Sequence, residues 1–338
     1  MMLFKEAIEI SNQYKNKKRH VLLGNGFSIA CKPNIFVYRR LFEQADFSVS
    51  PAAERAFEAL NTQDFEHVIR ALRDASKLVS LYEDVRDDLS DQIRRDADGL
   101  KDVLVNTIAS MHPDMPGDIS EEKYVACRQF LSNFDTVYTL NYDLLLYWAQ
   151  MHVEGGKDPD FDDDFRKPED NFDADYVTWE PSQSHGQDTW FLHGALHVFD
   201  AGNEVQKYTW INTGIRLIDQ IRDALEKEYF PLFVAEGTSK EKYARIRHSD
   251  YLAKAYRSFS SIGGCLFIYG HSLADNDEHF LRRIEKGKVE HLFVGIHGDP
   301  ESKDNKRIIS KARRMKDARK KKSLEVSFYD SASVRVWG

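Results

Sequence analysis

Several short stretches place polar or glycine residues at the end of an apolar run, where chemistry can be held in fixed geometry. The first is Val21–Ala30, VLLGNGFSIA. Its apolar residues read as a strand that runs into Gly24, Asn25 and Gly26, then Phe27 and Ser28. Glycines at a strand's carboxyl end let the backbone approach a pyrophosphate, and the next helix N-terminus offers unpaired N–H groups and a positive dipole end. A plain tight turn has the same composition. The loop departs from the dehydrogenase fingerprint. Ile29 stands where that pattern wants Gly or Ala, and Tyr38–Ala45, where a strand ending in an acid is wanted, reads as helix. Hydride transfer is therefore not what this loop suggests.

The second stretch is Val137–Asp143, VYTLNYD, leading into the apolar Leu144–Trp148. Asn141 offers a donor and an acceptor, and Asp143 accepts two hydroxyl hydrogens. Such a pair can hold ribose hydroxyls, and either residue also suits a helix N-cap. In Trp190–His197, WFLHGALH, His193 ends a strand and precedes a glycine. That is a fitting place for a general base, against the alternative of a satisfied structural histidine. His193 and His197 have the spacing of helical zinc ligands, but Gly194 stands where that motif needs Glu, and a strand-to-turn context breaks the shared face. In Cys265–Phe280, CLFIYGHSLADNDEHF, Gly270, His271, Ser272 and Leu273 follow a strand, and Asp275, Asp277 and His279 come next. The Gly and Ser can cradle a second phosphate, while Asp275 or Asp277 also fits as cap of a helix beginning near Glu278. In Val294–Asp299, His297 or Asp299 is a further candidate for an adenosine ribose.

These residues need a scaffold. Six apolar runs read as buried strands: His20–Leu23, Thr136–Leu140, Thr189–Leu192, Cys265–Tyr269, His291–Ile296 and Leu324–Tyr329. Continuous apolar runs separated by helices point to an α/β fold with a Rossmann-like, mainly parallel six-stranded sheet. The stretch between the first two strands is longer than a crossover needs. Phe65, Val68, Ile69 and Leu72 recur at helical spacing, as do Leu78, Leu81 and Val85. Residues 52–133 are thus expected to form an inserted helical module, with 1–51 and 134–338 as the sheet domain. Gly155–Asp175 is acidic and reads as a solvated loop rather than a divalent-metal loop, since its acids do not follow calcium-loop spacing. Lys303–Lys322 reads as a solvated basic helix.

Composition narrows the function classes. The 338 residues are 42% hydrophobic and 30% charged, ordinary for a globular chain, and the net charge of −8 argues against a general affinity for nucleic acid or an anionic membrane. No apolar run is long enough to span a bilayer, and charges interrupt the N-terminal apolar residues, unlike a secretory signal. Cys31, Cys127 and Cys265 fit neither a disulfide framework nor a CxxC metal site. A cytoplasmic protein is expected.

The order GNGFS, TLNYD, LHG and GHSL followed by acids resembles the sirtuin-like family, and looks closest to its bacterial antiphage-defence branch, whose members degrade NAD. The resemblance runs from about Arg19 to Val294 and leaves out the helical module. It implies that Gly24, Asn25, Gly26 and Ser28 form the dinucleotide loop. It implies that Asn141 and Asp143 line the ribose and nicotinamide pocket, that His193 is the catalytic histidine, and that Gly270, His271, Ser272, Leu273 and Asp277 belong to the second phosphate region. Two departures stand out. Asn25 replaces a small residue between the glycines, and the three cysteines cannot build the four-cysteine zinc module of the family's deacetylases. No metal site and no zinc are expected.

The implied reaction is rupture of the nicotinamide–ribose bond of NAD, used as substrate, giving nicotinamide and ADP-ribose through an oxocarbenium-like centre. Asp143 would supply negative field and grip the amide or ribose, Asn141 would orient water or a hydroxyl, and His193 would take a proton. Two other classes compete: an NAD-dependent transferase or deacylase, and a non-catalytic sensor of NAD- or ADP-ribose-type nucleotides. Because an unrestrained NAD hydrolase would kill its host, activation by a sensor protein encoded nearby, by homo-oligomerisation, or by both is expected.

Overall fold

The structure is a computed structural model that describes residues 1–32, 42, 45–49, 51–62, 65–82, 88–113, 115–152, 161–171, 173–181, 186–209, 217–227, 229–234, 238–320 and 323–338. In chain order the strands are β1 Arg19–Leu23, β2 Thr136–Thr139, β3 Phe161–Asp162, β4 Phe165–Arg166, β5 Tyr176–Trp179 and β6 Gln187–Phe191. They continue with β7 Gly194–Asp200, β8 Val205–Tyr208, β9 Phe230–Phe233, β10 Gly263–Tyr269, β11 Lys288–Ile296 and β12 Glu325–Asp330.

A seven-stranded sheet runs β12-β11-β10-β1-β2-β6-β3, with every pair parallel. Its central strands are buried on both faces, which is why their sequences are continuous apolar runs rather than alternating ones. All six expected strands are present. The seventh, β3, is two residues long and lies within the acidic stretch, so the expected count of six is corrected to seven. From β1 the chain moves to β2 and β6 on one side, whereas β10 leads to β11 and β12 on the other. β1 and β10 therefore flank a topological switch point, the place where open α/β sheets bind ligands.

A second sheet, not anticipated from the sequence, is antiparallel with order β4-β5-β8-β7-β9. The chain passes from the first sheet to the second between β6 and β7, across only Leu192 and His193. Gly194 then takes φ +75°, which L side chains rarely adopt, so the corner itself requires the glycine after His193.

The acidic stretch is only in part the solvated loop its composition suggests: Lys167, Glu169, Asp170, Asn171, Asp173 and Asp175 are exposed, whereas the segment 161–166 is not. Asp162, Asp163 and Asp164 are buried. Asp162 pairs with Arg166 at 2.7 Å and Asp163 with Lys207 at 2.5 Å, so fixed cations compensate two of the three buried carboxylates. Residues 155–160 and 172 of that stretch lie outside the described residues.

Between β1 and β2, helices Pro51–Ala59, Phe65–Val79 and Leu89–Met111 precede helix Glu121–Leu131. Phe42, Phe47, Phe57 and Phe65 pack ring on ring at 4.9–6.2 Å, and Val68 and Ile69 are fully buried beside them. The second expected series fails. The helix stops at Val79, Leu78 and Leu81 are 58% and 74% exposed, and Val85 lies outside the described residues. Tyr38–Ala45 also lies outside them, apart from Phe42 and Ala45. The basic segment forms helix Lys303–Asp317, which buries Asn305, Ala312 and Met315 and turns its cations outward; residues 321 and 322 are outside the described residues. No described helix is long and apolar enough to cross a membrane.

Candidate functional site

β10, β1, β2 and β6 are neighbours in a parallel sheet, so their carboxyl ends share one edge. Those ends carry Gly270–Leu273, Gly24–Ser28, Asn141–Asp143 and His193 respectively. The spatial convergence of the motifs follows from strand order alone.

At the centre, Asn141 joins two loops. Its Nδ2 donates to Gly24 O at 3.0 Å and to Ser28 Oγ at 2.9 Å. Both contacts require an N–H donor, which fixes the amide's orientation and leaves Oδ1 as acceptor. Ser28 Oγ–H in turn donates a hydrogen bond to Asp143 Oδ2 at 2.5 Å. The other carboxylate oxygen accepts Leu145 N–H at 3.0 Å, the first amide of helix Leu145–Met151, from the position before the N-cap residue Leu144. Asp143 thus ties the start of this helix to Ser28 of the first loop. Burial pushes Asp143 up to about 6, against the lowering pull of the Ser28 and Leu145 hydrogen bonds.

The glycines of the first loop answer to a neighbour within the protein. Gly24 N–H donates to Tyr269 O at 2.9 Å and Gly26 N–H to Gly270 O at 2.8 Å. A Cβ at Gly24 would stand 2.6 Å from His271 Cβ, one at Gly26 2.6 Å from Gly270 Cα, and one at Gly270 2.6 Å from Phe27 N. The close approach expected towards a pyrophosphate is made here by the β1 and β10 loops towards each other. Asn25 is half-buried at the first turn of helix Asn25–Cys31, and Ser272 is half-buried beside it in the order of the loops. Leu273 is buried and held at φ +51° by its N–H bond to His271 Nδ1 at 3.0 Å.

His193 lies in the corner between the sheets and is 3% exposed. Nδ1 meets Leu140 O at 3.2 Å, and a carbonyl only accepts, so Nδ1 carries the proton. Among the described residues Nε2 has no hydrogen-bond partner, and Asp277 Oδ1 stands 3.7 Å from it. Burial, reinforced by the nearby Lys242 charge and opposed by Asp277, holds His193 well below the usual histidine range. It is a neutral imidazole with a bare lone pair.

Asp277 was expected among phosphate contacts or as a helix cap. It starts helix Glu278–Lys286, but its side chain makes no cap bond and turns inward. Oδ1 takes Lys242 Nζ at 3.1 Å, and Oδ2 lies 3.0 Å from His271 Nε2. His271 Nδ1 already accepts from Leu273, so Nε2–H donates to Asp277. Burial would raise the Asp277 carboxyl, but the His271 bond and the surrounding positive charge outweigh it and hold it well below the usual range. His279 closes the cluster, with its ring 5.9 Å from that of His193 and Nδ1 3.0 Å from Ser239 Oγ. The sequence reading missed Lys242 and Ser239, and passed over His279.

The remaining candidates lie elsewhere. His197 stacks on Tyr147 at 4.4 Å and packs on Phe191, whereas His193 packs on Phe280, so the two histidines do not share a site. His297 and Asp299 are exposed, and their carbonyls accept Asn305 Nδ2 in the turn after β11. No three His, Cys, Asp or Glu side chains cluster as metal ligands among the described residues. Burial raises all three cysteine thiols, Cys31 to about 11 and Cys265 to about 12, so they stay protonated and unreactive.

No curated protein matches the chain. The model of the family described as "Domain of unknown function (DUF4917)" matches residues 21–337, which takes in both sheets except the first two residues of β1, and every residue of the cluster. The chain belongs to the DUF4917 family.

Proposed function

We propose that this protein hydrolyses NAD at the nicotinamide–ribose bond, in the manner of the sirtuin-like NAD-degrading enzymes whose motif order it resembles. The observation that carries the reading is His193. Its Nδ1–H is committed to Leu140 O and, among the described residues, its Nε2 lone pair is unpartnered, at the carboxyl edge of the sheet that also carries Asn141. A neutral imidazole held in one tautomer is what a general base requires.

In the proposed reaction the C–N bond breaks and nicotinamide leaves with the electron pair. The ribose carbon becomes oxocarbenium-like. Asp143, ionised above about 6, supplies the opposing negative field. Asn141 Oδ1 orients the attacking water or a ribose hydroxyl. Water adds to the ribose carbon, and its proton passes to His193 Nε2. The pyrophosphate would lie along the β1 and β10 loops at the switch point, near Asn25, Ser272 and the helix that starts at Asn25. As a defence effector the chain would be cytoplasmic and held nearly silent until a partner protein or self-assembly activates it.

The test is chromatography of NAD after incubation with the purified protein, alone and with products of neighbouring genes. Nicotinamide and ADP-ribose are expected in equal amounts. His193→Ala and Asn141→Ala should each lower nicotinamide release by ~10²–10⁴ while the fold persists, the loss typical of a positioned catalytic group. A folded His193→Ala protein with undiminished release would remove the base and the reading with it.

A further inference from the structure

The contact between His193 and Asp277 pairs two atoms that both carry lone pairs. Nε2 of His193 is unprotonated because Nδ1 bears the hydrogen, and it faces Asp277 Oδ1 at 3.7 Å, beyond hydrogen-bond length. A proton placed on Nε2 would turn this mismatch into a charge-assisted bond after a contraction of about 0.8 Å. Asp277 is well held for that task. His271 Nε2–H fixes Oδ2 at 3.0 Å, and Lys242 Nζ binds Oδ1, the oxygen that faces His193, at 3.1 Å. His193, Asp277 and Lys242 are each less than 9% exposed, so little solvent screens these charges.

Resting on the hydrolase reading, we propose that Asp277 is a positioning residue that holds the catalytic proton on His193, and that Lys242 limits how strongly it does so. The water that attacks the ribose carbon gives its proton to Nε2, the imidazolium pairs with Asp277, and the proton leaves to solvent after the products separate. Lys242 keeps His193 neutral between turnovers, because it already neutralises the carboxylate that would otherwise draw a proton in. Among the described residues, the groups around His193 are Leu140 O from the end of β2, His271 from the β10 loop, Val234 N–H from the residue after β9, Lys242 from helix Ser239–His248, and Asp277, His279 and Phe280 from the start of helix Glu278–Lys286. Of these only Asp277 is anionic, so its removal and that of Lys242 must act in opposite directions.

Two variants and two readouts test this. Asp277→Asn and Lys242→Met are compared with wild type by NMR titration of ¹⁵N-histidine-labelled protein and by the pH profile of nicotinamide release. In Asp277→Asn, His193 should protonate at lower pH and maximal release should fall about tenfold or more, the equivalent of one unit of proton affinity. In Lys242→Met, His193 should protonate at higher pH, and the acid limb of the profile should move up by about one unit. A purely structural role would lower both rates without moving the limb in opposite senses. Unmoved resonances, or shifts of the same sign in both variants, would overturn the proposal. If Asp277→Asn does not fold, Lys242→Met alone decides, since an unmoved or lowered titration there is incompatible with the assignment. The titration does not depend on turnover. A wild-type protein that releases no nicotinamide would sink the hydrolase reading, while opposed shifts would still support the His193–Asp277–Lys242 linkage.

Discussion

His197 is 1% exposed, stacked on Tyr147, and neither of its ring nitrogens meets a partner among the described residues. Burying such atoms costs about 1–3 kcal/mol each relative to a satisfied or apolar group. His197→Phe keeps the ring stack and removes both nitrogens, so it should raise stability by about 1 kcal/mol and leave nicotinamide release intact; a lower melting temperature would show that the nitrogens have partners after all. His193, with one nitrogen satisfied and the other aimed at a carboxylate, is the opposite case. The sequence distinguishes them only by the glycine that follows His193. The site residues that escaped sequence reading did so for a physical reason. Lys242 sits in SKEKYARIRH, where neighbouring residues are charged and only the burial of Lys242 with Ile246, one turn apart, marks the inward face. Asp277 was picked out, but as a phosphate contact or a cap rather than as the partner of His271 and Lys242, because capping and inward burial suit the same residue type at a helix start.

At the level of elements, the contact between the β1 and β10 loops recasts what its glycines do. Gly26→Ala places a methyl group 2.6 Å from Gly270 Cα, backbone that cannot yield without moving a strand end. The variant should lose about 1–3 kcal/mol of stability, the usual cost of overpacking, and any loss of NAD affinity should track the loss of fold. Unchanged melting with weakened NAD binding would return these glycines to a ligand-facing role. The central strands of the parallel sheet were legible because they are buried on both faces and read as apolar runs, from HVLL in β1 to HLFVGI in β11, whereas the edge strand β12, mostly half-buried, showed only through its β-branched and aromatic residues. The antiparallel sheet was not legible. β4 has two residues, β8 reads VQKY, and the acids beside β4 are paired with Lys207 and Arg166, partners distant or weakly marked in sequence. Pairing of that kind leaves no periodic trace.

The molecule as a whole should be acid-sensitive. Burial lowers His20, His112, His279 and His291 to about 4, and holds His193 and His197 well below the usual histidine range. The unfolded chain takes up these protons near pH 6.5, so between pH 7 and 4 it binds more protons than the fold, and stability falls as pH falls. Asp143 and Asp164, raised to about 6 by burial, act in the opposite sense over the same range, but they are two against six. Lowering the pH from 7 to 5 should therefore remove at least about 2 kcal/mol of stability; a melting temperature that stays flat over that interval would contradict this balance. Strand order imposes a further condition, on biosynthesis. β1 lies between β2 and β10, so Arg19 must find Cys265. At ribosomal rates of 5–20 residues per second, that partner emerges about 12–50 s after β1 does. Through that interval one edge of an apolar strand stands open, a template for pairing with other nascent chains. Expression yield of this protein is then governed by elongation speed and chaperone supply as much as by the stability of the finished fold.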